Sequence, residues 1–292
     1  MNNYLYYPGC SLKGTGIQYE KSLLACLKAL DINVEELPDW NCCGATSYMS
    51  VNEKSAFGMA ARNISIAERE GKDVLAPCSA CYMVLNKAVH YANEYPDLKC
   101  SLKKAMNAVN MDFDGNKQEI IHPLHMMVYQ YGLENIEAKV TNPLKGMKIF
   151  PYYGCLIARP QARYDDATYP VSMDMLMGTL GADVVDHTLK TRCCGGTITG
   201  TISEVGLRMV YILLKEAKKK GAEAIATICP LCQFNLEAYQ KKVEKVYNEK
   251  FDIPVLYFTQ LLGLALGLDE KCLGFGHQII SPRKLLTKNQ PL

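Results

Sequence analysis

Ten of the thirteen cysteines in the 292-residue sequence fall into two sets of five that have the same order. The first set is Cys10, Cys42, Cys43, Cys78 and Cys81, and the second set is Cys155, Cys193, Cys194, Cys229 and Cys232. In both sets 34 residues separate the adjacent pair from the CxxC pair that follows. The gap before the adjacent pair is 31 residues in the first set and 37 in the second. The sequence is therefore a tandem repeat.

The type and spacing of these cysteines indicate metal binding. A CxxC pair holds two thiolates within reach of one metal, and structural zinc needs four ligands. Each set contains five cysteines, one more than a zinc ion or an ordinary cubane cluster uses. Neighbouring side chains diverge, so the adjacent pairs suit the spread metal atoms of a polynuclear cluster. We therefore predict one iron-sulfur cluster in each half of the chain.

Two other interpretations of the cysteines stay open. A structural zinc site would leave one thiol of each set unused, and a thioredoxin-like dithiol would use the CxxC pair alone. The dithiol interpretation gives Cys10, Cys42 and Cys43 no role. Three further cysteines have no counterpart in the other half and are predicted to be small buried or incidental thiols: Cys26, Cys100 and Cys272.

Basic residues and histidines also lie near the cysteines. Four cationic side chains are predicted to hold the anionic groups of a substrate, unless they are only solvated surface charge: Lys13, Arg159, Lys190 and Arg192. His187 lies just upstream of Cys193 and is a candidate proton donor to a product thiolate. His122 and His125 are predicted to be packed or capping residues.

Alternating strand and helix patterns predict the elements that position these residues. Short apolar runs predict buried strands at 4–7, 73–76, 148–153, 182–186, 223–228 and 254–258, and helical periodicity covers 16–30, 53–70 and 204–220. We predict two tandem, homologous, Rossmann-like α/β domains, 1–144 and 145–292, with largely parallel sheets related by a pseudo-two-fold axis. Cys10 and Cys155 follow strands, and Cys78 and Cys229 open helices, so the carboxyl edges of the sheets should carry the cysteines.

Composition narrows the possible partners. The formal net charge of +2 lacks the dense cationic footprint of a nucleic-acid-binding protein. The amino terminus has no signal-peptide pattern, and the longest apolar run, Leu261–Leu268, is too short to span a membrane. We expect a soluble, cytoplasmic protein, in which thiols stay reduced.

Motifs for other cofactors are absent from the sequence. The glycines at 14 and 16 lack the third glycine of a dinucleotide fingerprint and predict a turn before the first helix. We therefore expect no flavin or nicotinamide on this chain. Because the sequence has no ferredoxin-type cysteine run, we expect another protein to deliver electrons.

The repeated CCG sequence identifies a resemblance. Cys42-Cys43-Gly44 and Cys193-Cys194-Gly195, each with an upstream cysteine and a downstream CxxC, resemble the motif of the cysteine-rich CCG family over almost the whole chain. The resemblance is strongest to the B subunits of methanogen heterodisulfide reductases. The family also includes subunits of glycolate and glycerol-3-phosphate dehydrogenases and lactate-utilisation proteins.

This resemblance implies a specific activity. It implies two noncubane [4Fe-4S] clusters, each held by its five cysteines, and reduction of the coenzyme M–coenzyme B heterodisulfide, a small anionic disulfide, to two thiols in methanogenesis. It also implies a complex with an iron-sulfur C subunit and a flavin-containing A subunit of heterodisulfide reductase, with a hydrogenase or formate dehydrogenase as upstream donor. We further predict that the clusters flank one cleft and that each captures one substrate sulfur.

Two alternatives from different classes remain. The chain could be an electron-transfer subunit of a hydroxy-acid or glycerol-3-phosphate dehydrogenase, or a structural zinc-binding scaffold. The halves are also not strictly symmetric, because Gly44-Ala45 in the first corresponds to Gly195-Gly196 in the second. The two predicted clusters therefore need not have identical surroundings.

Overall fold

Two four-stranded parallel sheets form the centre of the protein in a computed structural model that describes residues 3–45, 47–159 and 163–288. The strand orders are β2-β1-β3-β4 and β6-β5-β7-β8. The first sheet contains β1 (Tyr4–Tyr6), β2 (Val34–Glu36), β3 (Val74–Leu75) and β4 (Ile120–Ile121). The second contains β5 (Lys148–Tyr152), β6 (Asp183–Val184), β7 (Ala224–Thr227) and β8 (Val255–Tyr257). The predicted fold class is confirmed.

Helices cover the connections between these strands. The first half has α1 (Gly9–Leu12), α2 (Ile17–Ala29), α3 (Ser47–Val51), α4 (Glu53–Glu70), α5 (Ser79–Glu94), α6 (Pro96–Asn107), α7 (Pro123–His125), a π-helical segment (Met126–Gly132) and α8 (Leu133–Glu137). The second half has α9 (Ser172–Thr179), α10 (Ser203–Lys219), α11 (Pro230–Ala238), α12 (Gln240–Tyr247), α13 (Phe258–Ala265) and α14 (Arg283–Lys288). The three predicted helices correspond to α2, α4 and α10.

Strand order explains why the cysteines gather. In each sheet the second strand pairs with one side of the first strand, and the third strand pairs with the other side. In the first sheet, for example, β1 lies between β2 and β3. Connections on opposite sides separate at this switch point and leave a crevice at the carboxyl ends of the two central strands. Cys10 and Cys78 follow β1 and β3, and Cys155 and Cys229 follow β5 and β7. The fold therefore brings each set of five cysteines to one crevice.

The halves pack through related helices. Helix α2 of the first half contacts α13 of the second, and α9 of the second contacts α7 and the π-helical segment of the first. Ser22 and Thr259 share a 2.6 Å hydrogen bond in the first of these contacts. One hydrophobic core contains buried residues of both halves, and a smaller core lies within the second half. The exchange of equivalent contacts is what a pseudo-two-fold arrangement requires.

Two strands, β2 and β4, were not predicted from the sequence. β2 has the sequence Val-Glu-Glu at a sheet edge, where both glutamates face solvent, so it lacks an apolar run. β4 has only two residues before Pro123 begins a helix. The predicted turn at residues 14–16 is confirmed, because the amides of Gly14 and Gly16 donate to the Ser11 carbonyl. Among the described residues, no helix is long and apolar enough to cross a bilayer.

Candidate metal centres

The adjacent and CxxC cysteines meet in each half. The Sγ atoms of Cys43 and Cys81 are 3.3 Å apart, and those of Cys194 and Cys232 are 3.5 Å apart. In both sets the second cysteine of the adjacent pair and the whole CxxC pair are buried: Cys43, Cys78, Cys81, Cys194, Cys229 and Cys232. Cys10 and Cys42 are exposed, and Cys155 and Cys193 are half-buried. Each set thus has a buried side and a side that faces solvent.

The thiols within a set perturb one another strongly. Hydrogen bonds from Cys42 and Cys81 lower the pKa of Cys43 to about 4. A hydrogen bond with Cys155 lowers the pKa of Cys193 to about 6, while the same contact raises the pKa of Cys155. Ionisation of one thiol therefore opposes ionisation of its neighbour. Five thiolates need a cationic centre to be stable together, and iron supplies that charge, so the donor set fits a cluster.

Two glycines let the backbone approach the buried thiols. A side chain at Gly9 would place its Cβ 2.9 Å from Cys81 Sγ, and one at Gly154 would place its Cβ 3.0 Å from Cys232 Sγ. Both residues have positive φ angles, 62° and 73°. Any other residue there would be strained and would displace a thiol. This explains why a glycine precedes the first cysteine of each set.

Tyrosine hydroxyls hold the loops that carry the adjacent pairs. Tyr7 donates to the Asn41 carbonyl at 2.7 Å, and Tyr152 donates to the Arg192 carbonyl at 2.5 Å. Each accepting residue directly precedes an adjacent cysteine pair. Sequence inspection missed this role, although the matching positions of Tyr7 and Tyr152 before Gly9 and Gly154 are a usable signal. The tyrosines orient the ligand loops in both halves.

Buried asparagines support the same loops. Asn63 of α4 accepts from the Asn41 amide at 3.0 Å and donates to its carbonyl at 2.9 Å. Asn235 of α11 donates to the Cys194 carbonyl at 2.8 Å. Neither asparagine occupies a matching position in the two repeats, so no sequence pattern pointed to them. Each loop is nevertheless fixed by a side chain from a helix of its own half.

The CxxC pairs open helices, as predicted. Cys78 is the residue before α5, and Cys229 is the residue before α11. The free backbone amides at a helix start can donate hydrogen bonds to the sulfur of a metal ligand in this position. The carboxyl edge of the sheet and the start of the following helix thus together position the CxxC cysteines.

The two sites adjoin across the interface between the halves. The Ser79 hydroxyl next to Cys78 lies 3.5 Å from the Ile228 carbonyl next to Cys229. The rings of Tyr19 and Tyr257 stack nearby, with centroids 4.3 Å apart and planes 9° apart. Burial, with smaller effects from nearby residues that include Cys78 and Cys229, raises the pKa of both tyrosines. The CxxC segments of the two halves are therefore neighbours.

Two of the four predicted substrate residues are engaged within the protein. Lys190 is 1% exposed, and its ammonium forms a 2.7 Å ion pair with Asp174 and donates to the Pro170 carbonyl at 3.0 Å. The Lys13 ammonium lies 2.7 and 2.8 Å from carboxylates of Glu20 and Glu36. Protein carboxylates thus already balance both cations, so we do not carry these two residues into a substrate role.

The two arginines remain accessible. Arg192 is exposed and adjoins Cys193. Arg159 is exposed and lines a cavity of about 210 Å³ together with Arg163 and Asn86. The cavity lies between α5, which starts at the first CxxC pair, and the segment that follows Cys155. Arg163 also pairs with Glu119 at 3.3 Å. A cationic cavity thus lies between segments that lead to the two sites.

His187 is buried and fully hydrogen-bonded. Its Nε2 lies 2.9 Å from the Pro151 carbonyl and its Nδ1 accepts from the Leu189 amide. Burial lowers its pKa to about 4, so it is neutral at pH 7 and holds its one proton on Nε2. These contacts give His187 a structural role, and we do not propose it as the proton donor. His122 is also buried and caps α7, as predicted.

The remaining cysteines lie outside the two sets. Cys26 is buried and donates to the Thr259 carbonyl, whereas Cys100 and Cys272 are exposed. Within residues 3–45, 47–159 and 163–288, no three histidine, cysteine or acidic side chains are arranged around a single metal-ion position.

Comparison with a protein-family model agrees with the repeat. The model described as the cysteine-rich domain, CCG, matches residues 4–86 and 150–237. The two matches contain one complete set of five cysteines each.

Individual relatives match nearly the whole chain. The 8-methylmenaquinol:fumarate reductase membrane anchor subunit of Wolinella succinogenes is 31% identical, with 97% of this chain and 98% of the relative covered. The B subunit of the ferredoxin:CoB-CoM heterodisulfide reductase of Methanosarcina mazei is 31% identical, with 99% and 97% covered.

A solved structure shows the same fold. A hypothetical protein from Helicobacter pylori superposes with a TM-score of 0.76 at 12% identity, and the match covers 96% of this chain. The chain spans 52% of the length of that structure. The motifs, the fold and the full-length relatives together show that this chain belongs to the cysteine-rich CCG domain family, alongside the B subunit of heterodisulfide reductase.

Proposed function

We propose that this chain is the catalytic subunit of a heterodisulfide-reductase-type complex and reduces the coenzyme M–coenzyme B heterodisulfide. The observation that carries the proposal is the adjacency of two five-cysteine sets across one interface. Cys10, Cys42, Cys43, Cys78 and Cys81 would hold one noncubane [4Fe-4S] cluster, and Cys155, Cys193, Cys194, Cys229 and Cys232 the other. The names of relatives that share 30–31% identity support this assignment.

The electron count favours two sites. Cleavage of a disulfide to two thiols consumes two electrons and two protons, and an iron-sulfur cluster supplies one electron. Two adjoining clusters therefore match one disulfide, with one sulfur captured at each site. The role left to the chain is to hold the two thiolate sets at a fixed separation. The contact between Ser79 and Ile228 supports such a fixed separation.

Arg159 and Arg192 are the residues that we propose for substrate binding. Both are exposed, and each lies a few residues from a cysteine of the second set. Guanidinium groups bind carboxylate and phosphate groups through paired, charge-assisted hydrogen bonds. In the cavity beside Arg159, the Asn86 amide donates to two backbone carbonyls and Arg163 pairs with Glu119, so Arg159 is the cation that we propose for an anionic group there. Arg159 and Arg192 would therefore hold the negatively charged groups of the substrate.

The proposal includes partner proteins. An iron-sulfur C subunit would deliver electrons from a flavin-containing A subunit, and a hydrogenase or formate dehydrogenase would supply that flavoprotein. The solvent-facing cysteines, such as Cys10 and Cys42, support electron entry from outside the chain. Tunnelling from a partner requires a site close to the surface, and one side of each set meets this condition.

A second function is favoured by one relative. The Wolinella succinogenes protein named as the membrane anchor of 8-methylmenaquinol:fumarate reductase is 31% identical over 284 residues. The same ten thiolates could serve as an electron relay in such a complex, without binding a disulfide. The distinction lies in the substrate, not in the clusters.

Metal analysis and one assay separate these functions. Protein purified without oxygen should contain about eight iron and eight sulfide per chain. With a reduced viologen as donor, it should reduce the coenzyme M–coenzyme B heterodisulfide to two free thiols. Full cluster content without disulfide reduction would favour the relay function. Two zinc ions per chain without sulfide would instead establish the structural zinc scaffold.

A further inference from the structure

Two buried tyrosine hydroxyls have no hydrogen-bond partner among the described residues: Tyr19 Oη and Tyr257 Oη. Both rings are fully buried. Buried polar groups in folded proteins are nearly always paired, and an exception calls for an explanation. A phenylalanine would fill the same space without this cost. The two hydroxyls therefore indicate an acceptor that is not part of the polypeptide.

Other buried tyrosines make the exception clear. Tyr7, Tyr152 and Tyr153 also lie beside the cysteine sets, and each of their hydroxyls has a protein partner at 2.5–2.7 Å. Tyr19 and Tyr257 alone in this group are unpaired. The other tyrosine hydroxyls beside the sites thus find acceptors in the polypeptide, and those of the stacked pair do not. The hydroxyl of Thr227, which pairs with Tyr257 in the sheet and lies two residues before Cys229, is likewise without a partner among the described residues.

The position of the pair points to the clusters. Tyr19 lies in α2, and Tyr257 ends β8 opposite Thr227, two residues before Cys229. Cys78 and Cys229 both act electrostatically on both hydroxyls. Tyr19 belongs to the half that carries Cys78, and Tyr257 belongs to the half that carries Cys229. The two hydroxyls therefore lie where the CxxC pairs of the two halves approach each other.

We propose that Tyr19 and Tyr257 donate O–H···S hydrogen bonds to sulfur atoms of the two clusters and raise their reduction potentials. Tyr19 serves the cluster of the first set, and Tyr257 serves that of the second. Hydrogen bonds to cluster sulfur stabilise the reduced, more negative state, which is why they raise the potential. This inference rests on the iron-sulfur part of the proposed function and adds residues that tune it.

The stacking of Tyr19 on Tyr257 also links the two halves of the chain. Tyr19 comes from the first half and Tyr257 from the second, and their rings contact each other across the interface. The stack thus fixes the two rings relative to each other at the interface between the halves. Two clusters that must each deliver one electron to one substrate work best at similar potentials, and one tyrosine donor for each cluster would support this.

The test uses the complete, cluster-loaded complex with Tyr19→Phe, Tyr257→Phe and the double variant. Redox titrations followed by electron paramagnetic resonance give the midpoint potential of each cluster. We expect each single change to lower one potential by about the equivalent of a tenfold change in the reduction equilibrium, about 59 mV for one electron. Cys81→Ser and Cys232→Ser, which remove one cluster each, assign the signals.

A matched control and a second measurement keep the test specific. Tyr211 stacks on Tyr247 at 3.8 Å, and its hydroxyl has protein partners, Glu249 and Lys215. Tyr211→Phe should leave both potentials unchanged. Clusters assembled in D₂O should show an exchangeable deuteron coupling in electron-nuclear double resonance spectra, and each Tyr→Phe change at the pair should remove one coupling.

The outcomes separate this inference from the proposed function. Clusters that keep wild-type potentials and deuteron couplings in the double variant would overturn the inference while the iron-sulfur assignment stands. A rise in substrate KM without any change in potential would also overturn it, because the hydroxyls would then serve the substrate. Protein that contains no iron and sulfide would overturn the proposed function itself.

Discussion

The Sγ atoms of Cys43 and Cys81 lie 3.3 Å apart, although 38 positions separate them in the sequence. Cys194 and Cys232 repeat this relationship at 3.5 Å and with the same separation. The contact joins the loop after the edge strand to the start of the helix after the central strand, so it forms only when that half has folded. Each ligand set is therefore assembled within one half.

Because each ligand set is assembled within one half, mutation of one cysteine should remove only the cluster of that half. Cys81→Ser should remove the cluster of the first set and leave the second, and Cys232→Ser should do the reverse. A serine hydroxyl is a much weaker iron ligand than a thiolate, and each buried position touches only its own set. Iron analysis and electron paramagnetic resonance should show about half of the wild-type cluster content in each variant. Equal loss from both halves would mean that ligands are shared between them.

The close approach of Gly154 to Cys232 gives a prediction with an internal control. Gly154→Ala would put a methyl group 3.0 Å from the thiol, whereas Gly146 has a similar φ of 74° and open space around it. Both alanine variants carry backbone strain of ~1 kcal/mol. Only Gly154→Ala should lose the cluster of the second set.

Unfolding and metal analysis measure this difference. Both variants should have a slightly lowered free energy of unfolding, while the iron content should fall in Gly154→Ala and stay at the wild-type level in Gly146→Ala. A Gly154→Ala protein with full iron content would show that the loop relaxes around the added methyl group. Strain would then be the only reason for glycine at this position.

The cysteine pattern carried most of what the sequence could reveal. Strands rich in apolar residues, such as β5 and β7, were predictable because both faces of each sheet are covered. β2 was not, because Glu35 and Glu36 sit at an exposed edge where backbone pairing alone defines a strand. The cysteine positions and the buried central strands can therefore be predicted from local sequence patterns. An edge strand such as β2 cannot, because it depends on pairing with a strand from elsewhere in the chain.

The burial of Lys190 could not be inferred from its charge and its place in the sequence. A lysine between a histidine and a cysteine pair suggests a surface cation, but Asp174 on α9 draws its ammonium inward, and the Tyr169 ring covers it at 4.1 Å. No local signal links residues 174 and 190. Tyr19 and Tyr257 pose the same difficulty, because their contact joins the two ends of the chain.

The buried ion pair predicts a stability effect without a substrate effect. Lys190→Met leaves the half-buried Asp174 carboxylate without its cation, which should lower the free energy of unfolding by up to ~3 kcal/mol. The double variant Lys190→Met with Asp174→Asn should recover much of this loss, because neither charge remains. Denaturant titrations measure both effects. If the folded double variant showed a large rise in KM for the disulfide, Lys190 would have a role in substrate binding after all.

The environment of His187 predicts a pH dependence of stability. Its pKa is about 4 in the folded protein because of burial, compared with about 6.5 in an unfolded chain. Between these values the unfolded state binds a proton that the folded state does not, so stability rises with pH across this window and falls as the pH drops from about 6.5 to about 4. His187→Gln should reduce this slope, whereas the same change at the exposed His277 should not. Free energies of unfolding at several pH values measure the slopes.

The pH profile of disulfide reduction tests whether His187 also takes part in the mechanism. Since both ring nitrogens of His187 are engaged with backbone groups, folded His187→Gln protein should keep the wild-type profile. Loss of one limb of that profile in the variant would instead identify His187 as the proton donor.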